Sequence, residues 1–189
     1  MKYSIPNILT LLRIALIPVF VVIFYLPLHN ANIITTAIFA LAGFTDWLDG
    51  YLARRWQETS AFGAFLDPVA DKLMVAAALV LIVDTNPTPY SGIWLAFPAL
   101  VIIGREITIS ALREWMAELG SSATVAVSML GKVKTSAQML ALVLLLYKTP
   151  IGTLPTVEVG LTLLYVAAVL TLWSMMLYLK AAWPVISRP

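Results

Sequence analysis

Apolar residues run along this chain in six long blocks, each closed by a short polar or proline-bearing segment. The blocks cover about 6–27, 31–55, 61–84, 91–117, 123–147 and 156–180. Each exceeds the roughly 20 residues that a helix needs to cross about 30 Å of hydrocarbon. The pattern predicts six transmembrane helices. The second, third and fourth blocks outrun their uncharged cores, so their charged ends are expected to project from the membrane. The breaks have their own chemistry. Leu26 to Asn30 reads as a tight turn, and Thr85 to Pro89 holds two prolines that end a helix. Thr149 to Gly152 does the same. Neither a repeat nor a linker divides the chain, so residues 1–189 read as a single domain.

Composition supports the pattern. The chain is 61% hydrophobic and 12% charged, against about 25% charged in a soluble domain. The fold class expected is all-α: a polytopic membrane protein with a polar cavity facing the cytoplasm. A net charge of +2 gives no reason to expect a nucleic-acid partner. Cysteine is absent and His29 is the one histidine. Disulfides, thiolate metal sites and a histidine-built zinc site are thereby excluded. Any metal should be a hard cation held by oxygens, magnesium or manganese before zinc. The N-terminus lacks a short apolar core with a small-residue cleavage site and reads as a retained first span.

Charge placement sets the orientation. Six spans put both termini on one side. Lys2, Arg13, Arg54, Arg55, Arg105, Arg113, Lys132, Lys134, Lys180 and Arg188 fall toward one face, and Lys148 alone toward the other. Basic residues favour the cytoplasmic side, so both termini are expected in the cytoplasm of a cell with the protein in its cytoplasmic (inner) membrane. Lys2 to Arg13 can form an interfacial helix before the first span, with Tyr3 as an anchor.

The chemistry lies in four carboxylates. Asp46 and Asp49 are three apart and share a face of the second helix; Asp67 and Asp71 are four apart and share a face of the third. Lys72 sits among them. Acids at membrane depth survive when they pair, face a wet cavity or bind something. The short loop from Arg55 to Ser60 makes the two helices antiparallel neighbours, so the pairs converge across one groove. Such a groove can hold two divalent cations about 4 Å apart. Gly43, Gly50, Ala53, Ala61, Gly63, Ala64 and Ala70 let helices and ligand come close, or serve packing alone. Arg54, one turn beyond Gly50, is placed to meet a phosphate, or to anchor the helix at the surface.

Asp46, Asp49, Gly50, Ala53, Arg54, Gly63, Asp67 and Asp71 stand at the spacing D-x2-D-G-x2-A-R-x8-G-x3-D-x3-D. The chain thereby resembles the CDP-alcohol phosphotransferases at every position of their motif. Ile5 to Arg13, Phe62 to Lys72, Arg105 with Glu106, Leu112 to Glu114 and Gly131 to Thr135 extend the likeness over essentially the whole chain. They point to the bacterial phosphatidylglycerophosphate synthases within that family. The resemblance implies six transmembrane helices, a homodimer, and transfer of a phosphatidyl group from CDP-diacylglycerol to an alcohol with release of CMP. It implies that Asp46, Asp49, Asp67 and Asp71 are the ligands of two ions, magnesium or manganese. It implies that Gly50, Arg54 and Ser60 contact the nucleotide lipid, and that Asp71 is the general base. Asn7 and Thr10 are further candidates for the nucleotide-lipid site; a plain turn or helix-cap role is the alternative.

The acceptor must be read from later helices. Arg105, Arg113, Lys132 and Lys134 fall toward the face that holds the aspartates, and suit an anionic acceptor such as glycerol 3-phosphate. Ordinary anchoring is the competing account, and Glu106 or Glu114 can pair with either arginine. The leading expectation is transfer to glycerol 3-phosphate. Serine or inositol phosphate as acceptor keeps the chemistry. A divalent-cation transporter is the reading from another class, but it calls for polar residues at the bilayer midplane and on to the outer face. A scaffold with dead chemistry leaves the complete motif unaccounted for.

Overall fold

In the computed structural model, which describes residues 5–56, 61–118 and 129–186, helices end where the backbone chemistry changes. Six are formed: α1 Ile5–Tyr25, α2 Ala31–Trp56, α3 Ala61–Thr85, α4 Ile93–Glu118, α5 Met129–Tyr147 and α6 Thr156–Ile186. Asn86 (φ 36°) and Lys148 (φ 62°) take the left-handed conformation that stops α3 and α5. The Asn86 side chain then fixes the turn, accepting from the Thr88 hydroxyl at 2.7 Å and donating to the Tyr90 carbonyl at 2.7 Å. Pro18, Pro68 and Pro98 lie inside α1, α3 and α4. Packed neighbours and polar side chains tolerate such breaks in a membrane bundle.

Boundaries agree with the hydropathy blocks to within about two residues at most ends. Residues 123–128 of the fifth block lie outside the described residues. One end differs. α6 runs on to Ile186, past Lys180, because a lysine marks where a helix leaves hydrocarbon rather than where its backbone stops. The expected interfacial helix also differs: from Ile5 onward, α1 is one continuous helix through Tyr25. Lys2 and Tyr3 lie outside the described residues.

Among the described residues, four stretches can cross a membrane by length and composition: Ile8–Tyr25, Ala31–Leu52, Ile93–Glu118 and Thr156–Trp183. The protein is a helical membrane protein. α3 carries Asp67, Asp71, Lys72 and Asp84, and the apolar part of α5, Val133–Tyr147, is shorter. Each buries one face in the bundle and leaves another exposed, at Phe65, Leu73 and Val80 of α3 and at Val133 and Leu140 of α5. Ala70, Met74, Ala78, Leu79 and Ile82 of α3, and Leu142, Leu145 and Leu146 of α5, are buried in the main core with Phe20, Phe39 and Leu95.

α1 packs along both α2 and α3, and these two touch each other more lightly. The expected α2–α3 groove is therefore roofed by α1. α5 packs chiefly on α6, and α4 on α6 and α3. A second cluster, Ile109, Leu112, Met116 and Ala182, joins α4 to α6. Trp94, Trp115, Trp173 and Trp183 are exposed, as belt residues are. Lys148 lies at the bundle end remote from the aspartates, with its ammonium 4.7 Å from the Phe24 ring centroid and 3.3 Å from the Thr85 hydroxyl.

Close helix approach rests on small residues. A Cβ on Gly160 would lie 2.9 Å from Leu145 Cγ and 3.2 Å from the Ala141 carbonyl oxygen. Gly160→Val is expected to destabilise the α5–α6 contact by about 1–3 kcal/mol, read as a lowered thermal midpoint in detergent. Gly104→Ala, with nothing within 4 Å of its new Cβ, should leave the midpoint unchanged. Equal midpoints for both variants would remove Gly160 from the packing account.

Candidate active site

Three helices deliver the polar cluster. On α1, Thr10 and Arg13 are one turn apart on one face and both are buried. On α2 that face meets Asp46 and Asp49, and on α3 Asp67. The Arg13 guanidinium forks across the α2 pair: Nη1 donates to Asp46 Oδ1 at 2.5 Å, and Nη2 donates to Asp49 Oδ2. Thr10 Oγ1 donates to Asp67 Oδ1 at 2.5 Å. The two aspartates bound by Arg13 differ in setting. Asp49 is 3% exposed at its side chain and Asp46 41%, so the pair spans the wall and the mouth of the site. Asp67 lies within electrostatic reach of Asp49, and Asp71 within reach of Asp46, Arg13 and Glu106. All four acids thus share one field. Lys72 is turned aside and donates to the Ser110 hydroxyl of α4.

Asp71 also lines a cavity of about 530 Å³ between α3, α4 and α5. Its polar lining includes Lys72 of α3, Glu106, Ser110 and Glu114 of α4, and Lys134 and Gln138 of α5. The Glu106 carboxylate accepts from Arg105 and, at 3.5 Å, from the buried ammonium of Lys134. The cluster that carries the acids therefore opens sideways into a pocket with a cation in its far wall.

Not every expected residue joins. Lys134 lines the cavity and Arg105 shares its Glu106 partner. Arg113, in contrast, is not part of the lining: its guanidinium lies 5.4 Å from the ring centroid of Tyr178 on α6, and it acts on Lys134 through its field. Of Asn7, Arg54 and Lys132 only the place in α1, α2 and α5 is described, and Ser60 lies outside the described residues. Gly50 is half-buried in α2, one residue beyond Asp49.

The donor set suits hard divalent cations. Four carboxylates against Arg13 and Lys72 leave two negative charges in excess, and every available oxygen is a hard donor. Among the described residues no three acids stand close enough together to hold an ion as placed; the Arg13 fork takes one oxygen of each of Asp46 and Asp49.

Residues 3–173 match the family model for CDP-alcohol phosphatidyltransferase. The chain belongs to the CDP-alcohol phosphatidyltransferase family. It is 57% identical over 183 residues to "CDP-diacylglycerol--glycerol-3-phosphate 3-phosphatidyltransferase" of Haemophilus influenzae, with 96% of this chain and 95% of the relative covered. It is 56% identical to the proteins of that name from Salmonella typhimurium and Pectobacterium atrosepticum, each with 96% of both chains covered. The family match takes in every candidate position from Asn7 to Lys134, and with them the whole of the Thr10–Arg13–aspartate cluster.

Sequence reasoning gave Arg13 only an anchoring role and gave Glu106 only a pairing one. A signal for Arg13 was present. Asn7, Thr10 and Arg13 recur every third residue along an otherwise apolar helix, the mark of one polar stripe. Ser110 and Gln138 carried no comparable pattern in a family member with so many isolated polar residues.

Proposed function

We infer that this protein transfers the phosphatidyl group of CDP-diacylglycerol to glycerol 3-phosphate, giving phosphatidylglycerophosphate and CMP, a step in the biosynthesis of phosphatidylglycerol. The observation that carries the reading is the junction at Asp71, where the four-acid cluster opens into a cavity with Lys134 in its wall. The relatives, more than half identical over nearly the full chain, bear the name of this activity.

Asp46, Asp49, Asp67 and Asp71 would hold two ions, magnesium or manganese. When bound, these would polarise the attacked phosphorus and offset the charge of the departing CMP. The chain's own residues do the rest. Gly50 leaves room beside Asp49 for a phosphate, and Arg54, Ser60, Asn7 and Thr10 are assigned to the nucleotide lipid. Asp71 takes the proton of the acceptor hydroxyl. The hydroxyl oxygen forms the new bond to phosphorus as the bond to CMP breaks. Arg105, Arg113, Lys132 and Lys134 supply positive charge for the acceptor phosphate, with Lys134 closest to it. We assign the protein to the cytoplasmic (inner) membrane as one multi-pass domain, a homodimer with termini and active site at the cytoplasmic face. The bias of basic residues toward the aspartate end supports that orientation.

Lys134→Ala removes a charge-assisted contact worth roughly 1.5–3 kcal/mol. It should raise the KM for glycerol 3-phosphate about tenfold to a hundredfold. Arg113→Ala, stacked away on Tyr178, should raise it less. The KM for CDP-diacylglycerol should move little in either variant. An unchanged acceptor KM in Lys134→Ala would return the cluster to simple anchoring.

A further inference from the structure

Arg13 is more than a brace between helices. Its side chain is 1% exposed, each terminal nitrogen is committed to a different aspartate, and its Nε is buried with no hydrogen-bond partner among the described residues. A guanidinium stays charged at any accessible pH. In so buried a place it cannot be left without an anion, because an uncompensated buried charge is costly. Yet the two carboxylates that it neutralises, through Asp46 Oδ1 and Asp49 Oδ2, are charges that a divalent cation on this pair would also draw on.

We propose that Arg13 is an internal counter-ion that makes cation binding depend on the diphosphate of the substrate: it holds Asp46 and Asp49 in the substrate-free protein and passes to a phosphate when cations take the carboxylates. The proposal rests on the reading that these aspartates bind divalent cations. The exchange balances in charge. Arriving cations replace the guanidinium on the acids, and the diphosphate supplies the anion that the guanidinium then needs. The planar fork suits two phosphate oxygens as well as it suits two carboxylates. Because Arg13 can release the acids only when the diphosphate is present, each ligand must strengthen the other's binding by the same factor. Thr10 on the same face holds Asp67, so the α1 stripe can keep the acid cluster spread until the substrate enters.

The test is manganese binding followed by electron paramagnetic resonance on purified protein, with and without CDP-diacylglycerol and with no acceptor present, so that no turnover occurs. Arg13→Met is expected to bind Mn2+ in the absence of the lipid about tenfold more tightly than the wild type. Its affinity for CDP-diacylglycerol at saturating Mn2+ should fall by a similar factor. Arg13→Lys keeps the charge but cannot bridge both acids, and should fall between the two; it carries the test if the methionine variant does not fold. Lipid-free Mn2+ affinity equal to or weaker than wild type in the folded variants would overturn the proposal and leave Arg13 a structural brace. Wild-type protein that binds no Mn2+ even with CDP-diacylglycerol would instead remove the metal reading, and the proposal with it.

Discussion

Asp67→Asn should lose about a thousandfold in turnover while remaining inserted in the membrane. Asp67 is the acid of α3 held by Thr10 of α1, within electrostatic reach of Asp49 of α2. Asparagine keeps the shape and can still accept the Thr10 hydrogen bond through its carbonyl oxygen. It removes the charge, and with it one of the four carboxylates proposed to hold the two ions. One preorganised electrostatic contact is worth about 10²–10³ in rate, and the loss of an ionic ligand should reach the upper end of that range. The measurement is CMP release by protein whose helical content and membrane fraction match the wild type. A near-wild-type rate would mean that Asp67 serves only as the acceptor for Thr10, a part that asparagine can play.

Asp71→Asn should lower kcat by about 10²–10⁴, the usual share of a general base, and weaken CDP-diacylglycerol binding far less. Asp71 lies at the seam: it feels Asp46 and Arg13 on one side and lines the α3–α4–α5 cavity on the other. A proton acceptor has to be at such a seam, because the hydroxyl must reach phosphorus and base together. The check is the split between kcat and lipid affinity. Outright loss of lipid binding would make Asp71 mainly a ligand. The base would then be sought among the other acids of the cavity, Glu106 first.

Much of this protein was legible in one dimension. Six helices, their turns at Pro27, Pro87 and Pro150, and the pairing of acids on α2 and α3 follow from periodicity alone. Those signals are local: an apolar block, a left-handed stop at Asn86, a three- or four-residue spacing. What stayed hidden is which helices touch. The short α2–α3 connection implied a groove shared by those two alone, whereas α1 lies along both. Arg13 shows the consequence. Near the end of an apolar helix, a basic residue that snorkels and one that pairs with acids in the bundle look alike in sequence. Only the α1–α2 contact distinguishes them. Arg105 and Arg113 illustrate the same limit. Both fall toward the aspartate face in sequence, but Glu106 holds Arg105 while Arg113 lies against Tyr178 of α6. The preference of a guanidinium for a nearby aromatic face decided its place, and that face comes from a helix more than sixty residues further along the chain.

The acceptor decides which reaction the protein performs. Purified protein given CDP-diacylglycerol and magnesium should be offered glycerol 3-phosphate, serine, inositol phosphate or phosphatidylglycerol in parallel, with CMP release as the readout. Release with glycerol 3-phosphate, little or none with the other three, and none in any arm for Asp67→Asn, is the result predicted. Release that is faster with serine or inositol phosphate, or absent with every acceptor, would contradict it.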